Sequence, residues 1–316
     1  MTKGKKKFLV HSNDSITGGP EALHQFCSIA NKYADCKMCY FEKNTNTPDK
    51  YHIYNVLKSD YFDDVDTYHV IPEIYTKYFI NKVKNGKILI YWLSVDNFFN
   101  LKDRSLYSNI KHYFYSLFLK RKPMIFLKKY IHITQSEYAN IFLKNHGFEY
   151  SFIGDYIAEE FYNIKFNTNK ENIICYNPKK GFNKLLPLIK NSKFKFIPIE
   201  NLNSVEIKNL LLKAKIYIDF GRLPGKDRIP REAILSNCII LLGNRGAALN
   251  DKDFAIPNRY KIDLNNSNYI HKAENLIEKS LNNYDENIKL FVNYKLKVLN
   301  EKKEFELNIK KFIENI

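Results

Sequence analysis

Residues 216–233, IYIDFGRLPGKDRIPREA, restrict the possible folds of this chain more than any other stretch. Residues 216–220 are a short apolar run, which predicts one buried strand. Residues 221–229 hold two glycines, a proline, two arginines, a lysine and an aspartate. Pro230 predicts the start of a helix, because proline is tolerated where the first amides have no intrahelical partner. Arg231 and Glu232 then fall in the first turn. Strand, basic glycine-containing loop and helix N-terminus in succession make an anion site. The free amides and the helix dipole face the loop, and Arg222, Lys226, Arg228 and Arg231 add full charges. The anion that suits this stretch is a diphosphate. Near the start of the chain, Gly18 and Gly19 likewise allow a ligand to approach the backbone closely.

The same pattern recurs along the chain. Apolar runs predict strands at 8–10, 36–41, 68–71, 87–93 and 130–134, and again at 173–176, 194–198, 238–242 and 260–264. Helical spacing fills the intervals: from Pro20 with Leu23, Phe26, Cys27, Ala30 and Tyr33, over 138–145, after Gly181, and from Asn203 to Lys213 with Glu206 completing a capping box. Two more helices, 269–281 and 287–315, close the chain. Alternating strands and helices predict mostly parallel, doubly wound sheets. In such sheets ligands bind beyond the carboxyl ends of the strands. Here polar and glycine-containing segments repeatedly follow strands: Gly18-Gly19, Ser94-Val95-Asp96-Asn97, Asn177-Pro178-Lys179-Lys180-Gly181 and Arg245-Gly246. The length of 316 residues suits two domains. A polar crossover over 152–169 divides them into 1–160 and 161–316, the second including the closing helices.

Charge and cysteine usage narrow the function. With 50 Lys and Arg against 34 Asp and Glu, the formal charge of +16 favours an anionic partner: nucleotide phosphates, nucleic acid or a membrane surface. Only charge suggests nucleic acid, and the ordered strand-end loops argue against it. The apolar run behind the basic N-terminus is too short for a signal peptide, and no run approaches a membrane span. A soluble cytoplasmic protein is expected, with peripheral contact at an anionic membrane. The stretch 107–129 could supply that contact as an interfacial helix, since Tyr113, Phe114, Tyr115 and Phe118 precede Lys120, Arg121 and Lys122. A core-facing helix with a basic end fits the same residues. Five cysteines form no disulfide framework, and Cys36-x-x-Cys39 lacks a second ligand pair for zinc. Asp64-Val65-Asp66 stands before a strand, where a metal-binding D-x-D should follow one. No protein-bound metal is expected, and no P-loop signature occurs.

The chemistry concentrates in the second half. Lys179, Lys180 and Gly181 follow one strand, Arg222, Gly225, Lys226, Arg228 and Arg231 the next, and Arg245 and Gly246 a third. Cations and amide donors at one place stabilise charge that develops on a leaving diphosphate. Glu232 can accept hydrogen bonds from ribose hydroxyls or complement the helix dipole. In the first half, Asp96 ends the strongest strand. It reads as a general base for an acceptor hydroxyl or as a polar strand-end turn.

The pieces TGGPEALHQ (17–25), YWLSVDN (91–97), QSEYA (135–139), YNPKKG (176–181) and PGKDRIPREA (224–233) occur in one order over most of the chain. In this the chain resembles GT-B glycosyltransferases, most closely the family 4 type that builds bacterial surface polysaccharides such as capsule or lipopolysaccharide. The resemblance implies an α/β GT-B fold, two Rossmann-like doubly wound domains facing each other across a cleft. It implies a nucleotide-diphosphate sugar as donor with no tightly bound cofactor, and a glycan or lipid-linked glycan as acceptor in the N-terminal domain. Glu232 resembles the second glutamate of the family's E-x7-E pair, the one associated with the ribose. Pro224 stands where the first should be, so Lys226 or Asp227 would take over part of the contact with the donor sugar. For an inverting reaction Asp96 would be the base, and for a retaining one it would position the acceptor. The altered position also admits a second reading, transfer of a phosphoryl-type group from a nucleotide.

Overall fold

A computed structural model describes residues 6–42, 44–99, 121–164 and 169–316. The chain divides into two compact units. One is Met1–Tyr156 with Glu301–Ile316, and the other is Ile157–Asn300.

The first unit is built on six strands: β1 (Lys7–Ser12), β2 (Asp35–Tyr40), β3 (Thr67–Pro72), β4 (Lys87–Trp92), β5 (Ile131–Thr134) and β6 (Ser151–Phe152). Their order is β2-β1-β3-β4-β5-β6, and every pairing is parallel. β1, β3 and β4 are buried along nearly their whole length. Their sequences are therefore near-continuous apolar runs rather than alternating ones. Helix α1 (Gly18–Ala30) packs Leu23, Phe26, Cys27 and Ala30 into the core. The strand order reverses between β1 and β3, which makes their carboxyl ends the switch point of this sheet.

The second unit holds β7 (Glu171–Tyr176), β8 (Lys195–Pro198), β9 (Ala214–Asp219), β10 (Ile239–Gly243) and β11 (Lys261–Ile262), all parallel, in the order β11-β10-β9-β7-β8. Its switch point lies between β7 and β9. The Asn203 capping box is present: its side chain accepts from the amides of Val205 and Glu206, and the Glu206 carboxylate accepts from the Asn203 amide.

Several sequence expectations are corrected. The helix expected to open at Pro230 runs Arg228–Leu235, two residues earlier. Pro230 still falls among the first four residues, whose amides need no intrahelical acceptor. The shift puts Arg228 at the first helical position and Glu232 at the fifth. The two-residue strand β6 was not expected, as so short a run carries no periodicity. The closing helix expected over 287–315 is two, Tyr284–Lys289 and Val292–Asn315. From Glu301 onward the latter belongs to the first unit, although the sequence assigned all of 161–316 to the second. Phe305, Ile309 and Phe312 are buried there, the Phe305 ring lies 5.4 Å from that of Tyr156, and Glu306 pairs with Lys32 at 2.8 Å. Helical periodicity reports that a face is buried, not which sheet buries it.

Residues 107–120 of the stretch expected as an interfacial helix lie outside the described residues. Within its described part, Met124–Phe126 is a 3-10 turn after Pro123. Among the described residues no helix is long and apolar enough to cross a membrane. All five cysteines are free and buried.

Candidate active site

Three loops at strand carboxyl ends come together in the second unit. They follow β7, β9 and β10 and flank its switch point. Gly181, at the end of the first loop, has φ +60°, and a Cβ there would lie 2.4 Å from the Gly221 amide nitrogen. Gly246, on the third loop, has φ +62° and ψ −138°, and a Cβ there would lie 2.3 Å from the Leu223 carbonyl oxygen. The Ala247 amide donates to that same carbonyl at 2.8 Å. The central loop is thus gripped from both sides at van der Waals contact, which fixes the positions of its side chains.

The charges of this junction are arranged in a chain. Lys180 Nζ lies 2.6 Å from Asp227 Oδ1. The other oxygen of Asp227 is buried with no hydrogen-bond donor among the described residues. Asp227 leads into the helix Arg228–Leu235. Arg228 Nε lies 3.5 Å from Glu232 Oε1, one helical turn on. Lys226 and Glu232 are both buried. Arg231 is fully buried, and its guanidinium donates to the carbonyls of Lys226 at 2.7 Å and Asp227 at 3.2 Å. It therefore clamps the backbone of the loop. Gly225 is buried, Arg222 half-buried and Lys179 exposed. Asn177 shapes the first loop, accepting at 3.0 Å from the Lys179 amide.

Asp219, the last residue of β9, was not singled out from sequence. It is 3 % exposed, accepts from the Gly221 amide at 2.7 Å and from the Tyr217 hydroxyl at 3.0 Å, and so pins the turn against which Gly181 packs. Burial pushes its carboxyl from 3.8 up to about 6, with Lys180 and the two hydrogen bonds opposing and Asp227 adding to the rise. The folded chain holds this proton more tightly than the unfolded one. Stability from this group therefore falls as pH rises through the window from 3.8 to about 6, and is level above it. The full effect is on the order of 3 kcal/mol. In Asp219→Asn that slope is expected to vanish. The melting temperature of the variant relative to the parent should rise between pH ~4 and ~6, and a pH-independent difference would contradict the assignment.

The first unit carries a second group of polar residues at strand ends. Gly18 and Gly19 open α1 behind β1, and the place for a Cβ on Gly19 lies 3.6 Å from Leu93 Cδ1. Asp96 is 2 % exposed on a short helix, Val95–Phe98, rather than on a simple strand-end turn, and accepts at 3.0 Å from the Tyr138 hydroxyl. Glu73 directly follows β3, at the switch point, and was missed. Its carboxylate accepts from the Leu93 amide at 3.0 Å, and burial pushes it up to about 7 despite that bond and the nearby Arg121 guanidinium. The signal was present in Pro72-Glu73, an acidic residue at a strand end, but nothing in sequence distinguishes it from a surface turn. Among the described residues no group of three or more His, Cys, Asp or Glu could hold a metal ion.

Two all-parallel α/β units, the second with converging loops at its switch point, define the GT-B class of fold. No protein-family model matches the chain, and no curated protein matches it in sequence. Solved structures do. A glycosyltransferase from Rickettsia africae is 13% identical with a TM-score of 0.63, covering 99% of this chain and 98% of its own. HepE of Anabaena, solved in complex with UDP-glucose, is 10% identical with a TM-score of 0.57, covering 98% of each chain. A TarM mutant of S. aureus, solved with fondaparinux, alpha-GlcNAc-glycerol and UDP, is 16% identical with a TM-score of 0.56 over 81% of this chain. The match spans 56% of the length of that TarM chain. These likenesses establish the fold.

Proposed function

We propose that the chain is a glycosyltransferase that moves a sugar from a UDP-sugar to a glycan acceptor. The observation that carries this reading is the three-loop junction of the second unit, where Lys180, Lys226 and Arg228 gather at the switch point of a parallel sheet. The ligands of HepE and TarM, UDP-glucose and UDP, support a uridine nucleotide as donor. In the reaction the bond from the sugar C1 to the diphosphate oxygen breaks and a bond from C1 to the acceptor oxygen forms. The acceptor hydroxyl proton leaves and the diphosphate departs with both electrons.

Lys180, Lys226 and Arg228, with Lys179 and Arg222 at the margin, stabilise the charge that grows on the leaving diphosphate. Arg231 holds the loop that presents them. A diphosphate competes with Asp227 for Lys180. Asp227 already has one acceptor oxygen without a donor, so it suits a hydroxyl of the donor sugar and takes the part of the glutamate absent at Pro224. Glu232 suits the ribose hydroxyls. On the first unit, Asp96 positions or deprotonates the acceptor hydroxyl. The acceptor is a surface glycan of capsule or lipopolysaccharide type, carried on lipid at the cytoplasmic face of the membrane. Proline in place of the first glutamate favours one second reading, transfer of a phosphoryl-type group, and product mass separates the two.

Saturating UDP should raise the melting temperature more than GDP or CMP does, with about 2.7 kcal/mol gained at a hundredfold excess over Kd. Incubation with UDP-sugars and acceptor glycans should release UDP. Asp96→Asn is expected to lower turnover by ~100-fold or more while leaving the response to UDP intact. No stabilisation by any nucleotide would sink the proposal.

A further inference from the structure

The 3-10 turn Met124–Phe126 lies on the first unit, shortly before β5. Ile125 is 75 % exposed and Phe126 61 % exposed, side by side after Pro123. Isolated exposed apolar residues are ordinary on protein surfaces, but an adjacent pair at the tip of a turn is not. Beside them is a groove of about 370 Å³ lined by Ile80, Lys122, Lys128, Lys129 and Tyr130 as well. The three lysines make no ion pair among the described residues. Lys128 lies 5.7 Å from the Phe148 ring and Lys129 5.2 Å from the Tyr130 ring. From Arg121 to Ser136 the sequence has four Lys or Arg and no Asp or Glu. Among the described residues the patch therefore joins an apolar tip to lysines that have no acidic partner.

We propose that this turn docks the protein on an anionic lipid bilayer. Ile125 and Phe126 enter the boundary between headgroups and acyl chains, and Lys122, Lys128 and Lys129 sit at the phosphates. Charge selects this occupant. A second copy of the chain would bring the same cations against each other, and a neutral apolar partner would leave them unused. Lipid offers apolar depth and negative charge together, and neither signal alone anchors a protein firmly. The docking rests on this surface alone, and only its purpose, access to a lipid-linked acceptor, rests on the function proposed above.

The test is co-sedimentation of the full chain with vesicles of phosphatidylcholine mixed with phosphatidylglycerol, against vesicles of phosphatidylcholine alone. The mixed vesicles should bind the protein, with less binding in high salt, and the neutral ones should not. Lys128→Gln with Lys129→Gln should lower partitioning by about fivefold per lysine. Ile125→Ser with Phe126→Ser should lower it by roughly tenfold or more. Both double variants replace solvent-facing side chains, so each should keep the parent melting temperature and its response to UDP. Equal binding to the two vesicle types, binding to neither, or parent-like binding by both variants would overturn the proposal. So would a self-associating parent whose Ile125→Ser, Phe126→Ser variant becomes monomeric in sedimentation velocity. A failure of UDP binding with normal vesicle binding would leave the docking standing and count against the donor site alone.

Discussion

Gly181→Ala is expected to lower UDP affinity by at least about tenfold and to destabilise the second unit. Two effects act together. A φ of +60° costs an L-residue about 1–2 kcal/mol. More important, the new Cβ would lie 2.4 Å from the amide nitrogen of Gly221 and 2.5 Å from the Phe220 carbonyl oxygen, and those are backbone atoms that cannot rotate away. The loops after β7 and β9 must separate. That moves Lys180 from Asp227 and disturbs the bond between Asp219 and Gly221. Isothermal titration with UDP reads the affinity, and chemical denaturation reads the stability. Parent-like affinity would mean that the contact between these loops does not shape the ligand site.

Arg231→Ala is the second large effect. A cation in the basic loop reads from sequence as a diphosphate contact, and its loss should then reduce turnover and leave the fold intact. The structure gives a different expectation. The guanidinium is fully buried and donates to the carbonyls of Lys226 and Asp227. Truncation removes both bonds, the one to the Lys226 carbonyl in a buried place, and opens a cavity the size of an arginine side chain. The expected loss of stability is about 3 kcal/mol or more. Arg231→Lys should restore little of it, because an ammonium lacks the planar fork that spans two carbonyls. A variant with parent-like denaturation but greatly weakened UDP binding would show that Arg231 acts on the ligand directly.

The alternation of apolar runs and helices disclosed the parallel sheets, because buried parallel strands leave continuous apolar runs in the sequence. The residues of the second-unit junction were also visible, since glycines and cations cluster after strands. What was hidden is how the loops meet. Gly181 and Gly246 read as parts of phosphate-binding loops, not as contacts between those loops. Only the three-dimensional path shows that each fills a contact where no Cβ fits. Arg231 and Arg228 look alike in sequence, yet one clamps backbone and the other pairs with Glu232. Asp219 and Glu73 were passed over because a carboxylate at a strand end is usually solvated. Burial and its effect on their protons depend on neighbours distant in sequence. The partner of the last helix was hidden for the same reason.

Hydrogen–deuterium exchange of the full chain, with and without saturating UDP, tests the central claim most directly. UDP should slow exchange of the amides at 179–182, 221–229 and 245–247, the three loops that flank the switch point of the second sheet. Protection confined to other segments, or none at all, would contradict the account.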